Sequence, residues 1–537
     1  MHLCTGYNHT IAMKHPLALL CICLSVFCHA QTGTYWQQQV DYKISVTLND
    51  TLHELDGFLT LQYTNNSPQP LQYIMFHLWP NAYKDHTTPF AKQLLENGDT
   101  KFYYSKPYQK GFMDKLSFKV NAEACKWEFE PKTEEICKVY LNTPLKSGET
   151  VTISTPFHVK LPYTFSRMGH VGQSYQITQW YPKPAVYDKT GWHAMPYLDQ
   201  GEFYSEYGNF EVNITLPQNY VVGATGDLQN AEEKRWLDSI ADATSKINEF
   251  ADVMIFPPSS ATSKTITYKQ SNIHDFGWFA DKRYHVLKGE VELPGSKQKV
   301  TTWAMFTNNQ AEYWKKAPQY LHDAIYYYSK WVGDYPYAQV TAVEGALSAG
   351  GGMEYPNVTV IGEVSSAFSL DVVIAHEVGH NWFYGILGCN DHTWMDEGVN
   401  SYYENRYTRL KYPNQRMASM IPTGLAKAFN VAHYKHKYLM DVAYQIMARE
   451  NRDEPLAQPA QDFTDFNYGV CVYGKSMLIF DYLQAYLGEE VFDKVMQKYY
   501  QQWRYKHPQP EDIRAVFETE TGKKLDWFFD DLIKSKR

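Results

Sequence analysis

The sequence predicts an α+β fold in which a strand-rich first part precedes a mainly helical second part. Three observations carry that expectation. From Tyr35 to about Lys297 apolar residues tend to recur at every second position, and from about Gln298 the spacing lengthens to that of a helix face. Within one apolar-periodic helical stretch lies the string HEVGH, residues 376–380, the arrangement in the chain that dictates a particular chemistry. At 537 residues the chain is too long for one core, so the expected division is a leader at 1–30, a β-sandwich or saddle domain at 31–297, and a catalytic domain at 298–537.

The leader reads as a secretory signal. Lys14 and His15 precede an apolar run from Leu17 to Phe27, and Cys28-His29-Ala30 places small residues where a signal peptidase acts, so cleavage is expected near Ala30. The run is far short of the roughly 20 residues that span a bilayer, so no integral membrane segment is expected in the mature chain. Phe27 disfavours a lipoprotein anchored through Cys28. A secreted or periplasmic location follows as the expectation. Of the eight cysteines, Cys125, Cys137, Cys389 and Cys471 lie beyond the leader. In an oxidising compartment Cys125 and Cys137 could bridge two neighbouring strands across a short hairpin, while pairing of Cys389 with Cys471 stays open. A net charge of -9 argues against a nucleic-acid partner and shows no polybasic membrane patch.

Taken in order, Tyr42, Ile44, Val46 and Leu48 alternate with polar residues, as do Leu59, Leu61 and Tyr63, and Val151–Val159 and Val212–Leu216 read as further strands between Asn, Gly and Pro turns. The polar stretch 231–249 reads as a helical surface insertion. Val300–Phe306 is a candidate strand, and Tyr320, Leu321, Ala324, Ile325, Tyr328 and Trp331 trace the buried face of a long helix. Pro413–Pro459 is mixed and partly helical. From Lys475 onward three amphipathic helices are punctuated by Gly488, His507–Pro510 and Gly522.

His376 and His380 stand four positions apart, so in a helix both imidazoles leave one face and reach the same ion. This spacing suits one zinc ion, with the intervening Glu377 as general base. A third protein ligand is needed, and Glu397 is the candidate. It follows Asp396, a plausible helix cap, and opens an amphipathic run through Val399, Tyr402, Tyr403 and Leu410, while Gly385 and Gly388 offer a stop to the first helix. Upstream, three consecutive glycines including Gly351 and Gly352 lead into Met353 and Glu354. Such a segment lets a peptide backbone approach closely and pair as an added strand.

HEVGHNWFYG, then WMDEG, preceded by GGGMEYP, resembles the zinc aminopeptidases related to aminopeptidase N and leukotriene hydrolase, the gluzincin metallopeptidases. The resemblance implies a thermolysin-like catalytic domain, peptide substrates, His376, His380 and Glu397 as ligands, and Glu377 as base. It also implies that Gly351, Gly352 and Met353 hold the peptide main chain and that Glu354 grips its free α-amino group. In NYGVCVYGKS it matches Tyr473 to the oxyanion donor and Tyr468 to a second tyrosine of that region, and in ITQWYPKPAVYDKTGWH it matches Gln179 to a substrate-contacting strand residue. Three departures stand out. Glu397 follows His380 by seventeen residues, a shorter interval than the family's usual one; Tyr355 replaces the asparagine of its motif; and Tyr181 stands where many aminopeptidases carry a carboxylate. Longer relatives continue into a further domain, so a more open cleft is expected. The rival readings are a zinc endopeptidase and a non-catalytic peptide-binding relative.

Overall fold

Alternation of apolar and polar side chains builds the first part of the chain around one large sheet. Strand β1 (Gln39–Asn49) buries Val40, Tyr42, Ile44, Val46 and Leu48 and exposes Lys43, Ser45, Thr47 and Asn49, the period of two that a strand imposes. It pairs antiparallel with β2 (Glu54–Thr64), which sets Tyr42 opposite Leu61. On the far side of β2 lies β3 (Thr150–Lys160), with Leu59 opposite Thr155. Strand β4 (Gly208–Pro217) runs parallel to β1 and places Val212 beside Ile44. After helix α1 (Ala231–Thr244), strand β5 (Ser263–Ile273) returns antiparallel to β4. Among the described residues, two four-stranded sheets and one two-stranded ribbon complete this mostly-β part.

The computed structural model describes residues 35–345, 351–388, 392–416, 430 and 433–536. The leader, its cleavage point near Ala30, and Cys389 lie outside the described residues. Gln37–Arg537 hold together by their contacts as one unit.

The second part opens with a hairpin of β6 (His285–Glu292) and β7 (Lys299–Phe306), in which Val291 faces Val300. The boundary drawn at 297 therefore falls in the turn of a hairpin, and β6 already belongs to the later sheet. Helix α2 (Ala317–Trp331) crosses over to β8 (Gln339–Glu344), which lies parallel to β7. It buries Tyr320, Leu321, Ala324, Ile325, Tyr328 and Trp331, the face read from their spacing. Next come β9 (Gly352–Tyr355) and β10 (Val358–Ile361), and the sheet order is β6-β7-β8-β10-β9. Strand β9 is thus an edge, with one row of main-chain groups unpaired within the sheet.

Helix α3 (Ala367–Gly379) is capped by Ser366, whose hydroxyl accepts from the Ser369 N–H. A π-helical turn, Trp394–Gly398, runs into α4 (Val399–Lys411). After α5 (Leu439–Arg449), a second π-helical stretch, Tyr468–Lys475, leads into α6 (Ser476–Leu487). Helices α7 (Glu489–Trp503) and α8 (Pro510–Thr521) follow, and a π-helical turn at Trp527–Ile533 closes the described chain.

The Cys125–Cys137 bridge that the sequence allows is not formed, and both thiols are free, as is that of Cys471. The hairpin register explains this. Phe129 faces Cys137 and Trp127 faces Val139, which carries Cys125 past its intended partner. The Cys125 thiol donates instead to the Phe118 carbonyl at 3.4 Å.

Candidate metal centre

Helix α3 presents His376 and His380 on one face, and the π-helical turn brings Glu397 against them. The two Nε2 atoms are 3.1 Å apart, and the Glu397 Oε2 atom is 3.2 Å from each. A tetrahedral zinc with ligands at about 2.0–2.1 Å separates them by roughly 3.3 Å, so the three donor atoms already stand at cage spacing. The outer nitrogens are fixed. His376 Nδ1 donates to Glu404 at 3.1 Å, and His380 Nδ1 donates to Asp396 at 2.7 Å and to the Phe383 carbonyl at 3.1 Å. Their tautomers thereby leave both Nε2 lone pairs directed at the same point.

The field of this cluster favours positive charge. Burial works against a protonated His376 but is outweighed by hydrogen bonds to Glu397 and Glu404, which push it up to about 10, and His380 is raised in the same sense by Glu354, Glu397 and Asp396. Burial likewise opposes an ionised Glu397, and the two imidazoles hold its carboxyl well below the usual range all the same. A divalent cation between neutral imidazoles satisfies that field with the geometry present, so the donor set fits zinc.

The close approach of α2, α3 and α4 depends on Gly379. A Cβ there would lie 2.1 Å from Asn400 Oδ1 and 2.5 Å from the Tyr328 ring. Asn400 uses that space to donate to the His376 carbonyl at 2.8 Å while accepting from the Tyr328 hydroxyl at 3.1 Å. Gly352 plays the same part on the other side, since a Cβ would stand 2.4 Å from Glu377 Oε1. Its absence lets β9 lie against the base. Glu377 is buried, its Oε2 has no hydrogen-bond partner among the described residues, and burial pushes its pKa up to about 7 against the pull of His376 and His380.

These groups face a cleft of about 470 Å³. Of the residues expected from the sequence, Gly351, Gly352, Met353, Glu354, His376, Glu377, Glu397, Tyr468 and Tyr473 line it, and His380 stands behind them in the cage. Glu354 is 5% exposed, its Oε1 is unpartnered among the described residues, and burial raises its pKa well above the ordinary value. The Tyr473 hydroxyl donates to Glu397 Oε1 at 2.6 Å. Burial and the Glu397 charge raise its pKa, so the proton stays on the oxygen. The Tyr468 hydroxyl is buried with no partner among the described residues.

Two expectations are corrected. Gln179 does not face the cleft. It is 3% exposed, donates to Asp275 at 3.3 Å, and accepts from the Tyr355 hydroxyl at 3.0 Å, as one link in a buried network that also holds Tyr181 and Lys183 on Asp275. Asp396 is no helix cap but the acceptor that orients His380. Three residues at the site escaped the sequence reading. Glu404 had a usable signal, because seven residues after Glu397 it lies two turns on along one helix face. Arg167 and Glu202 had none. They meet at 3.1 Å beside Glu354, and burial pushes Glu202 up to about 7 against the pull of Arg167.

A two-histidine, one-glutamate cage with a buried carboxylate beside it is the arrangement that zinc-assisted hydrolysis requires. Residues 320–532 match the sequence model of the peptidase family M1 domain. The chain is similar to endoplasmic reticulum aminopeptidase 2 of Homo sapiens, 25% identical over 26% of this chain and 13% of that protein. With leucine aminopeptidase 2 of Yarrowia lipolytica it shares 27% identity over 29% of this chain and 24% of that protein. These matches thus span a quarter or less of the curated relatives. The fold is similar to that of an M1 zinc metallopeptidase crystal structure from Deinococcus radiodurans, with a TM-score of 0.59, 14% identity, and coverage of 93% of this chain and 94% of that one.

Proposed function

We propose that this chain is a zinc aminopeptidase that removes amino-terminal residues from peptides. The observation that carries the reading is a cage of three donors at zinc spacing beside two carboxylates, Glu377 and Glu354, that each bury an unpartnered oxygen facing the same cleft. His376, His380 and Glu397 would hold the ion. Zinc, when bound, supplies a Lewis acid that polarises the scissile carbonyl and acidifies water.

The remaining steps belong to the protein. Edge strand β9 offers unpaired main-chain groups to an extended peptide, and Glu354 holds its ammonium, fixing the distance from the amino terminus to the reacting bond. Glu377 accepts the proton of the attacking water and passes it to the leaving nitrogen. Tyr473, protonated and already beside Glu397, donates to the oxyanion of the tetrahedral intermediate.

The test compares aminoacyl anilides carrying a free amine with their N-acetylated counterparts. Strong preference for the free-amine series is expected, with the acetylated series cleaved only slowly, whereas comparable cleavage of both would make the protein an endopeptidase. The apolar run and small residues of the leader support export as part of this reading. Amino-terminal sequencing of the protein recovered outside the cytoplasm should begin near Gln31, and an unprocessed amino terminus would remove that part of the proposal.

A further inference from the structure

Arg167 is 4% exposed at its side chain. Its guanidinium donates to the carbonyls of Leu198 and Asp199 at 3.1 Å each, to that of Gly201 at 3.0 Å, and to Glu202 Oε1 at 3.1 Å, while Nε approaches Met353 Sδ at 3.2 Å. Five contacts from one planar group wrap the 198–202 turn around it and tie that turn to β9. Only one oxygen of Glu202 is used. Its side chain is 6% exposed, and Oε2 is buried with no partner among the described residues.

The carboxylates of Glu202 and Glu354 belong to one wall. A carboxylate oxygen of Glu202 lies within 4.8 Å of one from Glu354 and of one from Glu397. Two neighbouring buried carboxylates that each keep an unpartnered oxygen carry a desolvation cost until a charged donor arrives. The neighbourhood of Glu354 says which donor. Its carboxylate clusters with Glu377 and His380, and Gly352 of the same strand lies against Glu377, so a positive group held by Glu354 and Glu202 stands beside the base and the cage, where the amino terminus of a bound peptide would lie. A primary ammonium, with a compact charge and three N–H donors, can serve both carboxylates at once.

We infer that Glu202, held in place by Arg167, is a specificity-determining residue whose open oxygen joins that of Glu354 in binding the α-ammonium of the substrate. The inference rests on the aminopeptidase reading and assigns to Glu202 the carboxylate lacking at Tyr181, supplied from another segment of the chain. Glu202 touches substrate, and Arg167 is a positioning residue.

The experiment measures kcat and KM of the zinc-loaded protein on free-amine anilides and on their acetylated counterparts. In Glu202→Gln, KM for the free-amine series should rise by roughly 10- to 100-fold, the factor expected for one hydrogen bond to a charged group, with acetylated substrates unaffected. The preference ratio is the deciding quantity, because a merely structural defect lowers both series together. Arg167→Lys, which keeps the charge but loses the fork, should shift the ratio the same way by less. Should Glu202→Gln fail to fold, Glu202→Asp keeps the charge one methylene further back and should raise KM with kcat retained; an unchanged KM overturns the inference. Calorimetric titration of leucinamide into the zinc-loaded Glu377→Gln protein, with and without Glu202→Gln, gives a readout free of turnover. Equal affinities, or a second metal ion per chain that disappears with Glu202→Gln, would overturn the assignment. If instead the unaltered protein cleaves both series alike, the aminopeptidase reading itself fails, and the two failures are distinct.

Discussion

On one side of the cleft stand His376, Glu377, His380, Asp396, Glu397 and Glu404, all within twenty-nine consecutive residues and carried by α3, one π-helical turn and α4. On the other stand Arg167, Glu202 and Glu354, spread over nearly two hundred residues on two loops and an edge strand. The metal side gets its precision from local spacing: a helix sets the histidine separation, and neighbouring turns supply the acceptors behind each imidazole. The amine side gets its precision from a buried guanidinium that gathers distant chain segments. Chemistry is thus fixed by short-range geometry, and selectivity by tertiary assembly. Changes on the metal side should abolish turnover or metal binding, while changes on the amine side should alter preference among substrates.

The largest effect is expected at Glu377. Replacement by Gln removes the proton acceptor without removing a ligand, and should lower kcat by roughly 100- to 10,000-fold with zinc content, read by atomic absorption, unchanged. Substantial residual activity would place the base elsewhere. The pH profile should sharpen the point. A base acts deprotonated, so kcat/KM must rise with pH through the pKa of Glu377. Burial sets that pKa at about 7 in the metal-free protein. A cation in the cage favours the ionised form, so the rising limb of the zinc-loaded enzyme should lie below 7, and it should vanish from the residual activity of the Gln variant.

A smaller loss is expected one shell further out. Asp396→Asn keeps the volume but weakens the acceptor at 2.7 Å that sets the His380 tautomer. Zinc affinity should fall by roughly 10- to 100-fold in chelator competition, with the folded structure intact by circular dichroism. Unchanged affinity would mean that the Phe383 carbonyl alone orients the ring.

The same division governs what could be read from the chain beforehand. The β-then-helical order, the alternation in β1 and β2, the buried face of α2, and the HEVGH helix all follow from periodicities of two or 3.6, because burial on one face leaves that trace in sequence. The neighbourhood of Glu397 marks it in the sequence, but its local setting leaves no such trace. A π-helical turn adds residues to each turn and so breaks the period on which the expected cap at Asp396 relied. Tyr473, on a second π-helical stretch, is legible only through family resemblance, since no local pattern separates it from the 42 other tyrosines. Arg167 and Glu202 have only ordinary surroundings in the sequence, and their meeting is a property of the fold.

Gln179 provides the smallest expected effect on catalysis and the cleanest contrast with Glu202. Both are polar side chains near β9, but the hydrogen bonds of Gln179 are spent internally, on Asp275 and Tyr355, whereas Glu202 keeps one oxygen open to the cleft. Its backbone also sits at φ +48°, in the left-handed region that a non-glycine residue adopts only when its surroundings hold it there. Gln179→Ala would leave the Tyr355 hydroxyl and one Asp275 oxygen each short of a buried partner. Stability should fall by about 1–3 kcal/mol, measured by urea denaturation, with KM and the preference for free-amine substrates unchanged. A rise in KM without loss of stability would instead bring Gln179 into contact with substrate, and would move the amine side of the cleft one strand deeper into the β-rich part of the chain.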